Sequence, residues 1–350
     1  MKEFINNNHS TNAPILAHHL MEALDATCDE STGIHTLELG SKYGTGEIKL
    51  VNFNNGMSIA LFDILLFKDL TFDFIEEDTE YLYFLYGLEG ICYHDFKEKE
   101  KFTRIEELKS YIIGSDKNNL RSEISIKKDT KFICSIISVD REVYLDKFIK
   151  NCNVPQKNIG KLTKAFETLS GYIYSCSHNL QIAKQLRQLR NNSSPFDVTY
   201  LFQLEGYTQI IFSLHVEQFY KEIYEDRVDT GLTRTELQKI RLVTDYIVDN
   251  PMIDHRIKKL CYRATISPVK LQDGFKCLHG TTVSNFIRNV RIEKARDLIM
   301  NSDYNISEIA YMVGFTSRSY FCKIFKENFG YNATAYRDKF KDKAIDIKSL

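Results

Sequence analysis

The alternation of apolar and polar positions changes character twice along the chain. From Ile34 to Val139 it has a period of two and favours β-branched and aromatic residues. The predicted strands are Ile34–Leu39, Glu47–Phe53, Met57–Phe67, Thr79–Tyr86, Gly90–Phe96, Lys109–Ile113, Arg121–Ile126 and Lys131–Ser138. Asn54-Asn55-Gly56, Gly87 with Gly90, Gly114-Ser115-Asp116 and Lys128-Asp129 mark turns between them. Many short strands predict a sandwich or small barrel, and a barrel of this size can hold one small ligand. A short helix is expected at Ile15–Leu24. Beyond Asp140 the period becomes helical: Glu142–Asn151, Gln156–Leu169, Asn179–Leu189 and, after the loop Asn191–Pro195, Asp197–Tyr224. Ile211, Leu214, His215, Phe219 and Ile223 make one stripe, and Asn179, Ala183, Leu186 and Leu189 another. This helical pair suits either a homodimer contact or plain core. Asp226–Leu232 is a polar linker, and Thr233 with Glu236 opens a helix that Asn250-Pro251 stops.

The last third writes one unit twice. In the second copy Asn305 and Glu308 form a capping box, and Ile306, Ile309, Ala310 and Val313 share a helix face. Gly314 ends that helix, Phe315 plugs the turn, and Thr316 and Ser317 cap a helix that buries Phe321, Ile324 and Phe325. In the first copy Asp254 caps a helix with Ile257, Leu260, Cys261 and Ala264. Thr265-Ile266 turns, and Ser267 caps a helix opened by Pro268. Leu260-Cys261-Tyr262 matches Ile309-Ala310-Tyr311, and Leu271, Phe275-Lys276 and Gly280 match Phe321, Phe325-Lys326 and Gly330. Between them, capped by Thr281 or Thr282, runs a helix from Val283 to Met300. It carries two stripes: Val283, Phe286, Ile287 and Val290, then Ile292, Ala295, Leu298 and Ile299. Such a helix packs on both units and fixes their separation. Two helix-turn-helix units on one side of a duplex reach major grooves about 34 Å apart.

Charge sharpens this division. From Thr233 onward there are 21 Lys and Arg against 13 Asp and Glu, and before it 25 against 34, although the whole chain carries −1. A basic third on an acidic remainder suits a polyanion-binding module joined to a partner domain. No apolar run approaches the ~18 residues that span a bilayer, and the first residues lack a secretory pattern. The expected location is therefore the cytoplasm, with no membrane partner. The eight cysteines form no CxxC pair, which argues against a zinc or thioredoxin-like site and for buried thiols. His35 and His94 have no HxH spacing, and no phosphate loop or nucleophile elbow is present. No metal, cofactor or catalytic residue is expected, and an enzyme is not.

Residues 233–337 resemble the DNA-binding domain of the AraC/XylS family of transcription regulators. The resemblance rests on Arg291-Ile-Glu-Lys-Ala295, Ile306-Ser-Glu-Ile-Ala310, Val313-Gly314-Phe315, Ser319-Tyr320-Phe321, Phe325-Lys326, Gly330 and Tyr336-Arg337. Ala333 stands where the family usually has proline. Lys270–Lys276 with Gly280–Val283, and in the first half Gly56–Ile59 and Leu88–Gly90, are similar to the pyochelin and yersiniabactin regulator branch. The resemblance implies an α+β multidomain protein. Residues 1–140 would form a cupin-like sensor barrel, 141–226 a helical linker or dimerisation region, and 233–340 an all-α double helix-turn-helix. It implies base contacts from Val269, Lys270, Gln272, Asp273, Arg318, Ser319 and Lys323, and phosphate contacts from Lys276, Thr281, Thr316 and Lys326. The implied partners are double-stranded DNA, a small-molecule effector such as a ferric siderophore, RNA polymerase and a second copy of the chain. The implied role is that of an activator. An effector-free regulator set by abundance and an enzyme with a DNA-binding tail are the alternatives.

Overall fold

Helix α1 (Asn12–Leu24) is the first element, and strands β1 (Thr27–Ser31), β2 (Ile34–Glu38), β3 (Gly44–Asn52) and β4 (Met57–Leu66) follow as a meander. The computed structural model describes residues 12–31, 33–53, 55–75, 81–96, 102–114, 122–151, 172–191, 197–223 and 232–345. The chain divides into two units, Met1–Glu217 and Gln218–Leu350.

The first unit continues with β5 (Leu70–Ile75), β6 (Tyr81–Glu89), β7 (Cys92–Phe96), β8 (Thr103–Ile105), β9 (Lys109–Gly114), β10 (Ser122–Ile126), β11 (Lys131–Asp140) and β12 (Ile173–His178). One sheet has the order β1-β2-β3-β4-β11-β6-β9-β12 and the other β5-β10-β7-β8. Alternate residues of both sheets meet in a shared core: Ile48, Phe62, Ile64 and Tyr83 from the large sheet, Phe72, Cys92 and Ile124 from the small one. Phe62 stacks on Phe72 at 5.9 Å, and Leu20 and Leu24 of α1 join the same core. The predicted barrel is therefore seen as two facing sheets, and among the described residues no pairing closes either into a ring. Period-two alternation reports that strands are half-buried; it does not report closure.

Helix α2 (Arg141–Asn151) comes between β11 and β12 in the chain, and α3 (Leu180–Asn191) and α4 (Asp197–Ile223) follow β12. Of the two readings left open for the Ile211–Ile223 stripe, the structure gives core: Ile211, His215 and Phe219 are buried. On the same face Phe212 meets Phe84 of β6 edge-on at 5.0 Å. His215 shares a hydrogen bond with Ser110, and burial pushes its pKa down to about 3. His94 shares one with Ser122, and burial pushes it down to about 4. The predicted helix at Gln156–Leu169, most of the loop after Asn191 and residues 226–231 lie outside the described residues.

The second unit is helical: α5 (Arg234–Asp249), α6 (Ile257–Ala264), α7 (Pro268–His279), α8 (Val283–Asn301), α9 (Ile306–Met312), α10 (Arg318–Phe329) and α11 (Ala333–Ile345). Capping boxes form at Thr233/Glu236 and Asn305/Glu308 as the spacing predicts. One expectation is corrected and one open choice is settled. Arg256, not Asp254, is the N-cap of α6, and the Asp254 carboxylate instead accepts from Arg256 Nε at 2.7 Å. Thr282, of the two threonines, caps α8. Among the described residues no helix is long and apolar enough to cross a membrane, and no group of three metal-binding side chains gathers.

Candidate nucleic-acid interface

The two copies are built alike, residue by residue. Ser267 and Ser317 each cap a twelve-residue helix, through the amides of Lys270 and Tyr320 at 3.3 Å. Gly280 and Gly330 end those helices in the left-handed conformation, at φ +64° and +77°. Leu271 and Phe275 of α7, and Phe321 and Phe325 of α10, are fully buried. Each turn also has a left-handed residue: Gly314 at φ +88° in the second copy, Thr265 at φ +53° in the first. Glycine takes that conformation without strain; threonine does not.

Helix α8 joins the copies as its two stripes predict. Phe286 packs on Phe275 at 5.3 Å, while Ile292, Ala295 and Ile299 enter the core of the second copy. Arg291 lies between the stripes. Its guanidinium donates to Pro251 O (3.1 Å) and Ile253 O (3.0 Å) ahead of α6, and to Gly314 O (2.9 Å) in the second turn. One planar group thus ties two carbonyls just ahead of the first copy to one in the turn of the second. A Cβ on Gly314 would lie 2.8 Å from that guanidinium and displace it, while the φ of +88° is what calls for glycine in this turn. Tyr336 packs on Phe325 at 5.5 Å and Arg337 donates to Tyr304 O at 2.6 Å, closing the second copy. Ala333 begins α11, buried, with Asn332 Oδ1 accepting from Ala335 N at 2.8 Å. The cap starts the helix where proline would otherwise fix it.

The outward faces carry the residues named from sequence. Val269, Lys270 and Lys276 are exposed on α7, with Gln272 and Asp273 half-buried beside them. Thr316, Arg318, Ser319, Lys323 and Lys326 are exposed on or before α10. Thr281 is half-buried just before the α8 cap. Three of these side chains have partners inside the chain. Lys323 Nζ lies 4.0 Å from Glu327 Oε1 one turn on. Lys270 Nζ lies 2.5 Å from Glu236 Oε1, and this hydrogen bond holds the Glu236 carboxyl below its usual range. Gln272 Oε1 accepts from Val283 N at 3.2 Å, so its amide oxygen also caps α8. Between the copies lies a cleft of about 560 Å³ whose wall includes Ser284, Arg288, Thr316 and Tyr320, with Arg288 donating to the Tyr320 hydroxyl at 3.2 Å. Sequence reasoning missed Arg288. Its position on α8 between two apolar stripes was the available signal.

A model described as a helix-turn-helix domain matches residues 260–339. The regulatory protein PocR of Salmonella typhimurium is 29% identical over 30% of this chain and 34% of its own. The transcriptional activator RhaR of Pectobacterium carotovorum is 32% identical over 24% of this chain and 30% of its own. The chain thus spans about a third of the length of these curated relatives. The crystal structure of ToxT from Vibrio cholerae aligns with 81% of this chain and 98% of its own, at 17% identity and a TM-score of 0.29. With the doubled unit and this match together, residues 260–339 are a helix-turn-helix domain.

Proposed function

We propose that this chain is a sequence-specific, double-stranded-DNA-binding transcription regulator acting in the cytoplasm. One observation carries this reading. Two copies of one helix-turn-helix present exposed polar and basic faces, and they are held to a common helix by packing and by Arg291. Each outward helix enters a major groove. Arg318 and Lys323 suit guanine, Ser319 is versatile, and Val269 suits a thymine methyl. Lys276, Lys326 and the backbone at Thr281 and Thr316 take phosphates. Lys270 and Gln272 exchange their internal partners for DNA, or hold them and act on the duplex through Glu236 and α8.

The β-rich unit is the sensor in this reading. It responds to a small molecule, a ferric siderophore being the first to test, and the regulator activates by engaging RNA polymerase. One observation favours a second reading, an effector-free regulator: Phe62, Phe72, Tyr83 and Phe132 fill the space between the sheets. Selection of duplexes bound by the full chain from a randomised pool, with and without iron–siderophore extracts, tests both readings. Enrichment of one sequence supports the regulator, and a shift in recovery with extract supports the sensor. Recovery without enrichment overturns sequence-specific binding.

A further inference from the structure

The first recognition helix, α7, keeps its first lysine bound to another part of the chain. Lys270 Nζ lies 2.5 Å from Glu236 Oε1 of α5. That carboxylate is not free to follow the lysine. Its other oxygen accepts from Thr233 N at 3.0 Å, and the Glu236 amide donates to Thr233 Oγ1 at 3.3 Å, the capping box that starts α5. A carboxylate already fixed loses little freedom on pairing, so the ammonium is drawn back toward α5 rather than held outward. Glu236 precedes the matched residues 260–339, so it is no part of the helix-turn-helix itself.

The two recognition helices differ in charge as a result. Helix α7 carries Lys270 and Lys276, which Glu236 and its own Asp273 balance. Helix α10 carries Arg318, Lys323 and Lys326 against Glu327 alone. Phosphates attract α10 whatever the base sequence, but α7 offers them only Lys276 while Lys270 stays on Glu236. A guanine edge is a stronger competitor, because O6 and N7 give the ammonium two acceptors in one place. We propose that Glu236 is a specificity-determining residue: it holds Lys270 off the backbone of any duplex and yields it only to a matching base edge. The cost falls on non-specific binding, so the reader discriminates by an unfavourable element as well as by a favourable one. The inference rests on the DNA-binding reading and adds to it a residue outside both recognition helices.

Titrations of the full chain on pool-selected and on scrambled duplexes, across a series of salt concentrations, are the test. The variants are E236Q, K270Q and the two combined. E236Q removes the charge and keeps the capping box, since glutamine serves there as glutamate does. It is expected to tighten scrambled-duplex binding about fivefold and to steepen the log–log salt slope by about 1, while affinity for the selected duplex rises less. K270Q alone leaves scrambled-duplex binding within about twofold of wild type, and in its presence E236Q changes nothing. E308Q removes the same charge from the other capping box, which has no lysine partner among the described residues, and leaves the slope at the wild-type value. A slope unmoved by E236Q overturns the proposal. An E236Q effect that persists with K270Q, or that E308Q reproduces, also overturns it, because the charge then acts without Lys270. A chain that enriches no sequence ends the sequence-specific reading, and the scrambled-duplex slopes still decide the role of Glu236. A chain that binds no duplex, with or without E236Q, ends both.

Discussion

Arg318 and Lys326 stand on one exposed face of α10, eight residues apart, and their chemistry separates what they do. In the proposed reading, the guanidinium near the helix start, able to form two parallel hydrogen bonds to one base edge, would carry sequence information. The ammonium near the helix end would meet phosphate as a point charge. Arg318→Ala is expected to cost about 1–3 kcal/mol on the preferred duplex and to relax selection at one or two base pairs. Lys326→Ala is expected to weaken all duplexes alike and to lower the log–log salt slope by about 1. Titrations on matched and scrambled duplexes at several salt concentrations check both. The residues that carry the family resemblance are mostly buried or tied to backbone: Phe315, Phe321, Phe325, Arg291 and Arg337. They make the fold legible and leave the base-reading side chains to be placed by position alone. Lys270 and Gln272 show the limit of that placement. Their partners, Glu236 and the Val283 amide, lie 34 and 11 residues away and leave no local signature.

At the scale of elements, caps were the most legible feature, because they are local chemistry. Ser267, Thr282, Asn305 and Ser317 each accept a backbone N–H within their own turn. Strands were less so. Strand β5 was missed because it follows β4 through Phe67–Asp69, a turn with no glycine, proline or asparagine. Strands β1 and β8 are short and polar, and β12 lies amid helical text. Their sheet is set by neighbours far along the chain. The contact of α5 with α7 was equally invisible. A Cβ on Gly274 would come within 2.0 Å of Ile240 Cδ1, and both residues are buried. Gly274→Val is therefore expected to destabilise the second unit by about 1–3 kcal/mol through overpacking, measured by denaturant unfolding. A variant as stable as wild type would show that Ile240 gives way freely.

At the scale of the molecule, His94 and His215, both fully buried, make stability depend on pH. His94 and His215 are held neutral, near 4 and 3, whereas an unfolded histidine titrates near ~6.5. Between those values the unfolded chain binds more protons than the folded one, so stability rises with pH. The stabilisation is complete above about pH 6.5 and is lost as pH falls toward 4 and then 3. Asp63 acts lower: burial raises its pKa, but Arg190 and Lys131 outweigh this and hold it below the usual carboxylate value. Thermal melts from about pH 4.5 to 7.5 are expected to fall toward acid, and to fall less when both histidines are replaced by glutamine. Equal slopes would place the protons elsewhere.

In the proposed reading, α8 and Arg291 hold two recognition helices at a fixed separation, so that the chain reads two grooves at once. Inserting base pairs between the halves of a selected site tests it most directly. About five added pairs turn the second half to the far side of the duplex, and roughly ten restore its face at twice the distance. Either insertion is expected to reduce full-chain affinity to that of a single half-site, with Arg318→Ala then costing little because α10 no longer engages. Affinity unchanged by the five-pair insertion would contradict it.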